Sequence, residues 1–496
     1  MINISSFIRH HARSAPDRIA VVCEDSEITY GDFYDRIEHL AGHLLDNLEV
    51  RPGDVVAALM KNSPAFLEIA FAVSHIGAVF LPINFRLSSE EVNYICGNSD
   101  AVLLFADSEF DELELKTTTV FLDADEQRNT QSIAGSASVT PMHPVQPRDL
   151  FRLMYTSGTT DRPKGVMHSY DNFYWKCNDH SIVLDLSSNT RLLVAGPLYH
   201  VGAFDLPGIA VLRQGGLLAI LRNFDPRDAV AAIEKFNLNG AWLAPIMTSM
   251  ILEYSDRDKF DVSSMRWVVG GGERTPEKRI REFSGYFVNA RYIDAYGLTE
   301  SGSGDSFMEA GREREKIGST GRATPHVEIA ILNDEGDKLA DNVEGEICLR
   351  GPKVFEGYWR DEEKTSASFS DDWFRTGDVG YLDEEGFLYL TDRKKDMIIS
   401  GGENIASSEV ERVIRELPGI SDVAVVGKAD SKWGEVPVAV VVLSENSEQD
   451  AETIVSHCRS RLASFKVPKE LVFRSLLPRN PSGKVLKREL RNEWLA

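Results

Sequence analysis

The stretch Tyr155-Thr156-Ser157-Gly158-Thr159-Thr160-Asp161-Arg162-Pro163-Lys164-Gly165 constrains this chain more than any other. An apolar run, Phe151 to Met154, precedes it and reads as a strand, and His168 to Cys177 follows as a segment suited to open a helix. Hydroxyls, glycines and one lysine between a strand and a helix suit an anion. Backbone N–H groups in such a loop converge on phosphate oxygens, and the side chains add donors. The stretch is not a Walker A loop, in which Lys and Ser/Thr directly follow the second glycine. Here Pro163 separates Arg162 from Lys164 and a glycine follows the lysine, so the P-loop kinase and GTPase readings are set aside.

The rest of the chain alternates in the way such a loop requires. Ile19 to Cys23, Val55 to Met60 and Ala101 to Phe105 are short β-rich runs. Thr29 is placed to cap a helix with the apolar face Phe33, Ile37, Leu40, Leu44, Leu45 and Leu48. Ser88-Ser89-Glu90-Glu91 is a capping box. Ala65 to Phe85 is the most apolar segment, but Glu68, Ser74, His75 and Pro82 interrupt it, so it reads as a buried helix plus strand rather than a membrane span. Residues 124–149 are polar and aperiodic, a surface connection. Leu192 to Ala195, Leu217 to Leu221, Ala241 to Ala244 and Trp267 to Val269 are strand candidates that run into Gly, Pro or His clusters. Ligands of open α/β sheets sit beyond such strand ends. Asp225-Pro226 and Thr275-Pro276 each set a capping side chain before a proline at the first helical position.

From about residue 318 the texture changes. Asn333 to Gly336 and Asp383 to Gly386 are turn signals between short strands and predict hairpins. Residues 396–496 read as a small α+β unit. In it Ser408-Glu409-Val410-Glu411 caps a helix running to Leu417, Val423 to Val426 and Val436 to Val442 are strands, and Ile454 to Leu462 is a second helix. The expected fold is α/β: a large N-terminal domain of α/β sheets with a β-rich subdomain, and a small α+β C-terminal domain.

The 496 residues are too many for one ordinary domain. A net charge of −23 argues against nucleic acid or an anionic membrane surface as partner. The five cysteines, Cys23, Cys96, Cys177, Cys348 and Cys458, are scattered without a CxxC pair, which fits a reducing compartment with neither a disulfide framework nor a zinc site. The N-terminus lacks an apolar core of signal length. A cytoplasmic protein with no integral membrane segment is expected.

Further motifs follow the opening loop in order: Pro197-Leu198-Tyr199-His200-Val201-Gly202, Gly270-Gly271-Gly272-Glu273, Tyr296-Gly297-Leu298-Thr299-Glu300, Thr376-Gly377-Asp378, Asp392-Arg393-Lys394-Lys395-Asp396, Ser400-Gly401-Gly402-Glu403-Asn404 and Pro481-Ser482-Gly483-Lys484. In this order, and over nearly the whole chain, they resemble the adenylate-forming (ANL) superfamily of acyl- and aryl-CoA ligases, luciferases and nonribosomal-peptide adenylation domains. The likeness is nearest to bacterial fatty-acyl and aryl-CoA ligases. It implies ATP, Mg²⁺ and coenzyme A, and two half-reactions. A carboxylate attacks the α-phosphate of ATP to give acyl-AMP and pyrophosphate, and the thiol of coenzyme A then attacks the acyl-AMP.

The resemblance also implies roles. Thr156, Ser157, Gly158, Thr159, Thr160 and Lys164 would hold the β- and γ-phosphates. Thr299 would contact the α-phosphate, and Glu300 would be the metal ligand. Gly271, Gly272, Glu273, Asp294, Ala295, Tyr296 and Gly297 would surround the adenine, while Asp378 and Arg393 would bind the ribose. Lys484 would act on the carboxylate and α-phosphate during adenylation. Residues 1–394 would form the adenylation domain and 395–496 a mobile lid, with the hinge at Lys395. Gly401 and Gly402 would line the pantetheine tunnel, and Trp433, Phe465 and Lys466 would meet the coenzyme A nucleotide. The acyl pocket maps to His200, Phe204, Trp242, Gly270 and Ala295, an apolar mix that suits an aryl or medium- to long-chain carboxylate. His200 is read as a gating or packing residue. Asp205 is the one acid near the mapped positions that an amino-acid substrate's ammonium would need. A carrier-protein phosphopantetheine in place of free coenzyme A, a homodimer, and a non-catalytic ATP- or acyl-binding relative stay open at this point.

Two positions depart from the family pattern. Asp161 stands where Gly or Ser is usual, placing a charge near the triphosphate. Ala406-Ser407-Ser408 replaces the usual aromatic-proline pair, with Ser407 or Ser408 left to cap the following helix.

Overall fold

The computed structural model describes residues 3–123, 129–135, 137–156, 163–271, 277–393, 396–400, 403–430, 432–444, 447, 449–479 and 485–493, with the backbone alone for Arg393, Glu403 and Asn404. Two compact units result: Met1–Glu328 with Leu349–Phe374, and Ile329–Cys348 with Arg375–Ala496. Among the described residues, no helix is long and apolar enough to cross a membrane.

The first unit holds two sheets. One runs Arg322–Ala323, Ser306–Phe307, Arg291–Tyr296, Trp267–Gly270, Gly240–Leu243, Arg191–Val194, Leu217–Ile220, Ile19–Cys23 and Ser26–Thr29 in spatial order. Its central strands are parallel, so their C-terminal ends, where the Gly and Trp clusters lie, share one edge. The other sheet runs Gly357–Tyr358, Lys164–Ser169, Leu150–Thr156, Val79–Ile83, Val55–Leu59, Ala101–Asp107 and Thr119–Leu122. Helix Pro64–His75 is apolar all round and correspondingly buried, with Ser63 capping it and Pro64 at its first position. Glu68, the charge inside it, is buried and satisfied by Arg36 at 3.2 Å and by the Thr130 hydroxyl. Thr130 opens a short helix, Thr130–Ala134, inside the stretch expected to be a plain surface connection; the need of Glu68 for a partner explains why it turns inward. Thr29 caps helix Tyr30–Asp46 through Asp32 N–H, and the Ser88–Glu91 capping box is formed.

The opening stretch is placed differently from expectation. Leu150–Thr156 and Lys164–Ser169 are antiparallel partners, with Thr156 opposite Lys164 and Arg152 opposite His168. The helix begins only at Tyr170, because the Ser169 hydroxyl accepts from Asn172 N–H and Asn172 reciprocates. The loop is therefore borne by two strands, and His168 lies on a strand rather than in a helix.

Two more sheets lie mainly in the second unit. Trp373–Leu382 and Leu388–Arg393 form the expected hairpin, closed by Gly386 N–H to Asp383 C=O at 2.8 Å. In the other, Ile420–Asp430 pairs with Gly434–Leu443, backed by helices Ser407–Arg415 and Ala451–Arg459 around Val410, Ile414, Val425, Val441 and Ile454. The helix at Ser407 differs in its cap. Neither serine caps it; the Asp392 carboxylate accepts from Ser407 N–H at 2.5 Å and Ser407 Oγ at 2.7 Å. A carboxylate is favoured there by the unpaired N–H groups and positive end of the helix.

Candidate active site

The hairpin ends on Thr156 opposite Lys164. A strap, Phe355 to Trp359, fastens this end to the turn that bears Glu300. Tyr358 and Gly357 pair with Val166 and Met167. Trp359 N–H donates to Gly165 C=O at 2.7 Å, and Phe355 N–H donates to Glu300 C=O at 2.8 Å. Tyr358 Oη donates to Glu300 Oε1 at 3.0 Å, and the Lys164 ammonium lies 5.7 Å from the Tyr358 ring centre. Burial, and then the Glu300 charge, push the Tyr358 phenol up, so it stays a donor. Burial and the nearby Lys364 lower Lys164, opposed by Asp361 and Glu300. The strap was not identified from sequence: three aromatics in a turn-rich stretch carry no local sign of a partner so far upstream.

Behind this face lies a buried polar cluster, also missed. Arg152 and Lys176 share the Asp205 carboxylate at 2.9 and 3.0 Å, and all three side chains are at most 1% exposed. Arg152 also donates to His168 Nδ1, at 3.0 Å from Nη2. A guanidinium only donates, so Nδ1 accepts and the proton of the neutral ring is on Nε2. That N–H donates to Thr299 C=O at 2.7 Å. Burial, then the Arg152 charge, hold His168 down to about 3. Desolvation alone would raise the Asp205 carboxyl, but Arg152 and Lys176 outweigh it and lower it.

The His168 shift has a stability consequence. The ring is neutral when folded but protonates near 6.5 when unfolded. Its stabilisation is complete above pH 6.5 and is lost as pH falls from about 6.5 towards about 3. His168→Gln is expected to remove about 1.4 kcal/mol per pH unit from the slope of stability against pH between 4 and 6. Urea unfolding at stepped pH measures that slope; an unaltered slope would show that the ring is charged in the fold.

The strand ends supply the other predicted residues of this unit. Gly270 lies beside Asp294 in the sheet, and a Cβ there would fall 1.9 Å from the Tyr292 hydroxyl. A Cβ on Gly271 would stand 3.0 Å from Ala295 C=O. Asp294, Ala295 and Tyr296 are buried, and Gly297 gives room for the backbone of Ser303 and Gly304. The Trp242 ring fills the space a Cβ would need at both Gly196 and Gly202, 2.4 Å away in each case. His200 accepts from Gly202 N–H at 3.0 Å, with its ring 6.4 Å from Trp242. Phe204 packs among Phe66, Phe80 and Phe173, with Arg152 5.6 Å from its ring centre. Thr299, Glu300, Lys164 and Thr156 are thus brought together by the strap and hairpin, whereas Phe204 sits with the buried charges.

In the second unit Asp378 is opposite Arg393 in the ladder. Gly377, at φ +74°, makes the bend before it; Gly377 N–H donates to Glu346 Oε1 at 3.0 Å and Asp378 N–H to Thr376 Oγ1 at 3.1 Å. Trp433 is half-exposed beside Lys432. Phe465 packs on the core of the unit, and Lys466 pairs with Glu409 at 2.6 Å. Ser157, Gly158, Thr159, Thr160, Asp161, Gly272, Glu273, Thr275, Pro276, Lys395, Gly401, Gly402 and Lys484 lie outside the described residues, as does the Arg393 side chain. Among the described residues no group of three or more His, Cys, Asp or Glu is arranged to hold a metal. A lone carboxylate, oriented by Tyr358 as Glu300 is, suits an Mg²⁺ that takes its other ligands from phosphate and water.

Comparison with known proteins identifies the family. The AMP-binding enzyme family matches residues 8–359, and its C-terminal domain matches residues 409–484. A feruloyl-CoA synthase of Amycolatopsis sp. is 36% identical over 99% of both chains. An indoleacetate–CoA ligase of Aromatoleum aromaticum is 35% identical over 99% of this chain and 98% of that one. The structure of o-succinylbenzoate-CoA synthetase (MenE) from Bacillus subtilis, solved with its acyl-adenylate intermediate, superposes with a TM-score of 0.89 at 30% identity, covering 98% of this chain and 97% of the other. With its motifs in order along almost the whole chain, the protein belongs to the AMP-binding enzyme family and, within the adenylate-forming superfamily, to the acyl-CoA ligases.

Proposed function

We propose that the protein joins an aryl or medium- to long-chain carboxylic acid to ATP, releasing pyrophosphate, and then transfers the acyl group from acyl-AMP to coenzyme A. The observation that carries this reading is the strap. It holds the cationic end of the phosphate hairpin and the Glu300 carboxylate on one face, with Tyr358 between them. Thr156, Ser157, Gly158, Thr159, Thr160 and Lys164 bind the β- and γ-phosphates, and Thr299 the α-phosphate. Glu300 would hold Mg²⁺, which would neutralise the phosphate charge. Gly271, Gly272, Glu273, Asp294, Ala295, Tyr296 and Gly297 surround the adenine, where glycine lets backbone approach a flat ring. Asp378 accepts from the ribose hydroxyls and Arg393 adds a contact. Lys484 places a cation where charge grows on the α-phosphate. Lys395 is the hinge used between half-reactions; Gly401, Gly402, Trp433 and Phe465 serve the coenzyme A step.

The acid pocket is bounded by His200, Trp242, Gly270 and Ala295, with Phe204 behind. The indole of Trp242, pressed on Gly196 and Gly202, offers a flat wall suited to an aryl acid. Two relatives named for aryl acids support the same class. Amino acids are disfavoured, because the Asp205 carboxylate is already occupied by Arg152 and Lys176. Free coenzyme A is the acceptor we propose, and the cytoplasm the location, consistent with Cys96, Cys177, Cys348 and Cys458 being buried as thiols rather than joined in disulfides. Incubation with ATP, Mg²⁺, coenzyme A and a panel of aryl and fatty acids, read by mass spectrometry, is expected to yield acyl-CoA from one class. Pyrophosphate release with no acyl-CoA from any acid would overturn the acceptor, and no release at all would overturn the activity.

A further inference from the structure

The buried cluster has a geometry that a mere stabilising core does not need. His168 has both ring nitrogens committed: Nδ1 accepts from Arg152, and Nε2–H donates to Thr299 C=O. That carbonyl also accepts Gly302 N–H at 3.0 Å, closing the turn Thr299–Ser301, and the next carbonyl, of Glu300, accepts Phe355 N–H. The two peptide units flanking the Glu300 side chain are thus anchored separately, one to the strap and one to His168. His168 and Lys164 share one strand four residues apart, so the strand's period of two puts them on the same face. Arg152 and Thr156 face them across the ladder. Arg152 is in turn held by Asp205, which Lys176 also grips.

We propose that His168 is a positioning residue: through its Nε2–H bond to Thr299 C=O it sets the Thr299–Glu300 turn in register with the Thr156–Lys164 end of the hairpin. The proposal rests on the reading of those four residues as the triphosphate and magnesium contacts. Arg152 selects the one neutral tautomer that can make this bond, and Asp205 with Lys176 keeps Arg152 in place. A displacement of about 1 Å at such contacts costs on the order of 100-fold in rate.

Two substitutions separate positioning from packing. The oxygen of His168→Asn replaces Nδ1 and keeps an acceptor for Arg152, but the side chain stops short of Thr299. His168→Gln supplies the acceptor and also an N–H where Nε2 stood. The expected result for His168→Asn is a fall of about 100-fold in carboxylate-dependent ATP–pyrophosphate exchange. Calorimetric binding of MgATP weakens with it, while transfer from supplied acyl-AMP to coenzyme A, which keeps the α-phosphate but needs neither the triphosphate nor its metal, falls far less. His168→Gln recovers most of the exchange and the binding. The proposal is overturned if His168→Asn exchanges like wild type. It is equally overturned if both variants fall together in step with their urea midpoints, or if the transfer step falls as far as exchange. Selective ¹⁵N-histidine labelling of the wild type tests the same bond without substitution: an Nδ1–H tautomer or an imidazolium at His168 contradicts it. If the wild type exchanges with no carboxylate, the functional reading fails. The contrast in MgATP binding between the two variants then still decides the role of His168.

Discussion

Lys484→Ala is expected to cut acyl-AMP formation by about 100- to 1,000-fold while thioester formation from supplied acyl-AMP stays near wild type. The first half-reaction concentrates negative charge on the α-phosphate as the carboxylate attacks, and a fixed cation there is worth most at that moment. The second has a thiol attacking a carbonyl, and its leaving group is an already formed AMP. A lysine serving only the first therefore splits the two rates. Pyrophosphate exchange measures one, and single-turnover transfer from synthetic acyl-AMP measures the other. Equal loss in both would make Lys484 a general nucleotide contact, and no loss in the first would remove it from the chemistry. Lys487 and Arg488 lie close by in sequence, so Lys487→Ala is the control for a general effect of a basic segment. Lys487 pairs with Glu411 at 2.8 Å, and its loss is expected to leave the ratio of the two rates unchanged.

Asp205→Ala is expected to lower the stability of the first unit by about 3–5 kcal/mol. Arg152 and Lys176 are each about 1% exposed, and their shared carboxylate is the anion within salt-bridge distance of both. Removing it strands two cations away from water, and the penalty is their desolvation rather than the loss of a contact. By contrast, Asp25→Ala, which breaks the exposed pair Lys235–Asp25, is expected to leave the urea midpoint nearly unchanged. Urea unfolding with an unchanged m-value and a shifted midpoint measures the difference. Replacing Arg152, Lys176 and Asp205 together by apolar residues of similar volume is expected to recover most of the loss. Full stability in Asp205→Ala itself would mean that water reaches the cluster and that the ion pairs are not what satisfies it.

Asp205 also shows what local sequence cannot convey. Near the mapped acid pocket it is the one carboxylate an amino-acid substrate could use, and nothing in its neighbours says otherwise. Its partners come from a strand and a helix more distant in sequence, brought there by the packing of the Phe204 turn on both. Tyr358 and the strap are similar: a Gly-Tyr-Trp run carries no periodicity, and its meaning lies in the edge strand it pairs with. Asp392 reads as part of a charged motif yet serves as the anion at the start of another element's helix.

Where the information is local, residues and structure agree closely. Thr29 and the Ser88–Glu91 box start helices as capping chemistry requires. Ile19–Cys23, Val55–Leu59 and Trp267–Gly270 are strands because short β-rich runs bounded by turns have few other uses. The residue types of the stretch from Tyr155 to Gly165 suggest a phosphate ligand by themselves, since hydroxyls, glycines and a lysine suit phosphate wherever they stand. Its setting was another matter. Period and capping act over a few residues, so the chain by itself determined the α/β alternation and the kinds of groups offered to a nucleotide. Whether the segment after the loop was a helix or a second strand depended on partners from elsewhere. Only the tertiary structure could pair Gly357–Tyr358 with Lys164–Ser169, place His168 between Arg152 and Thr299, and so decide what holds the Thr156–Lys164 hairpin and the Glu300 turn together.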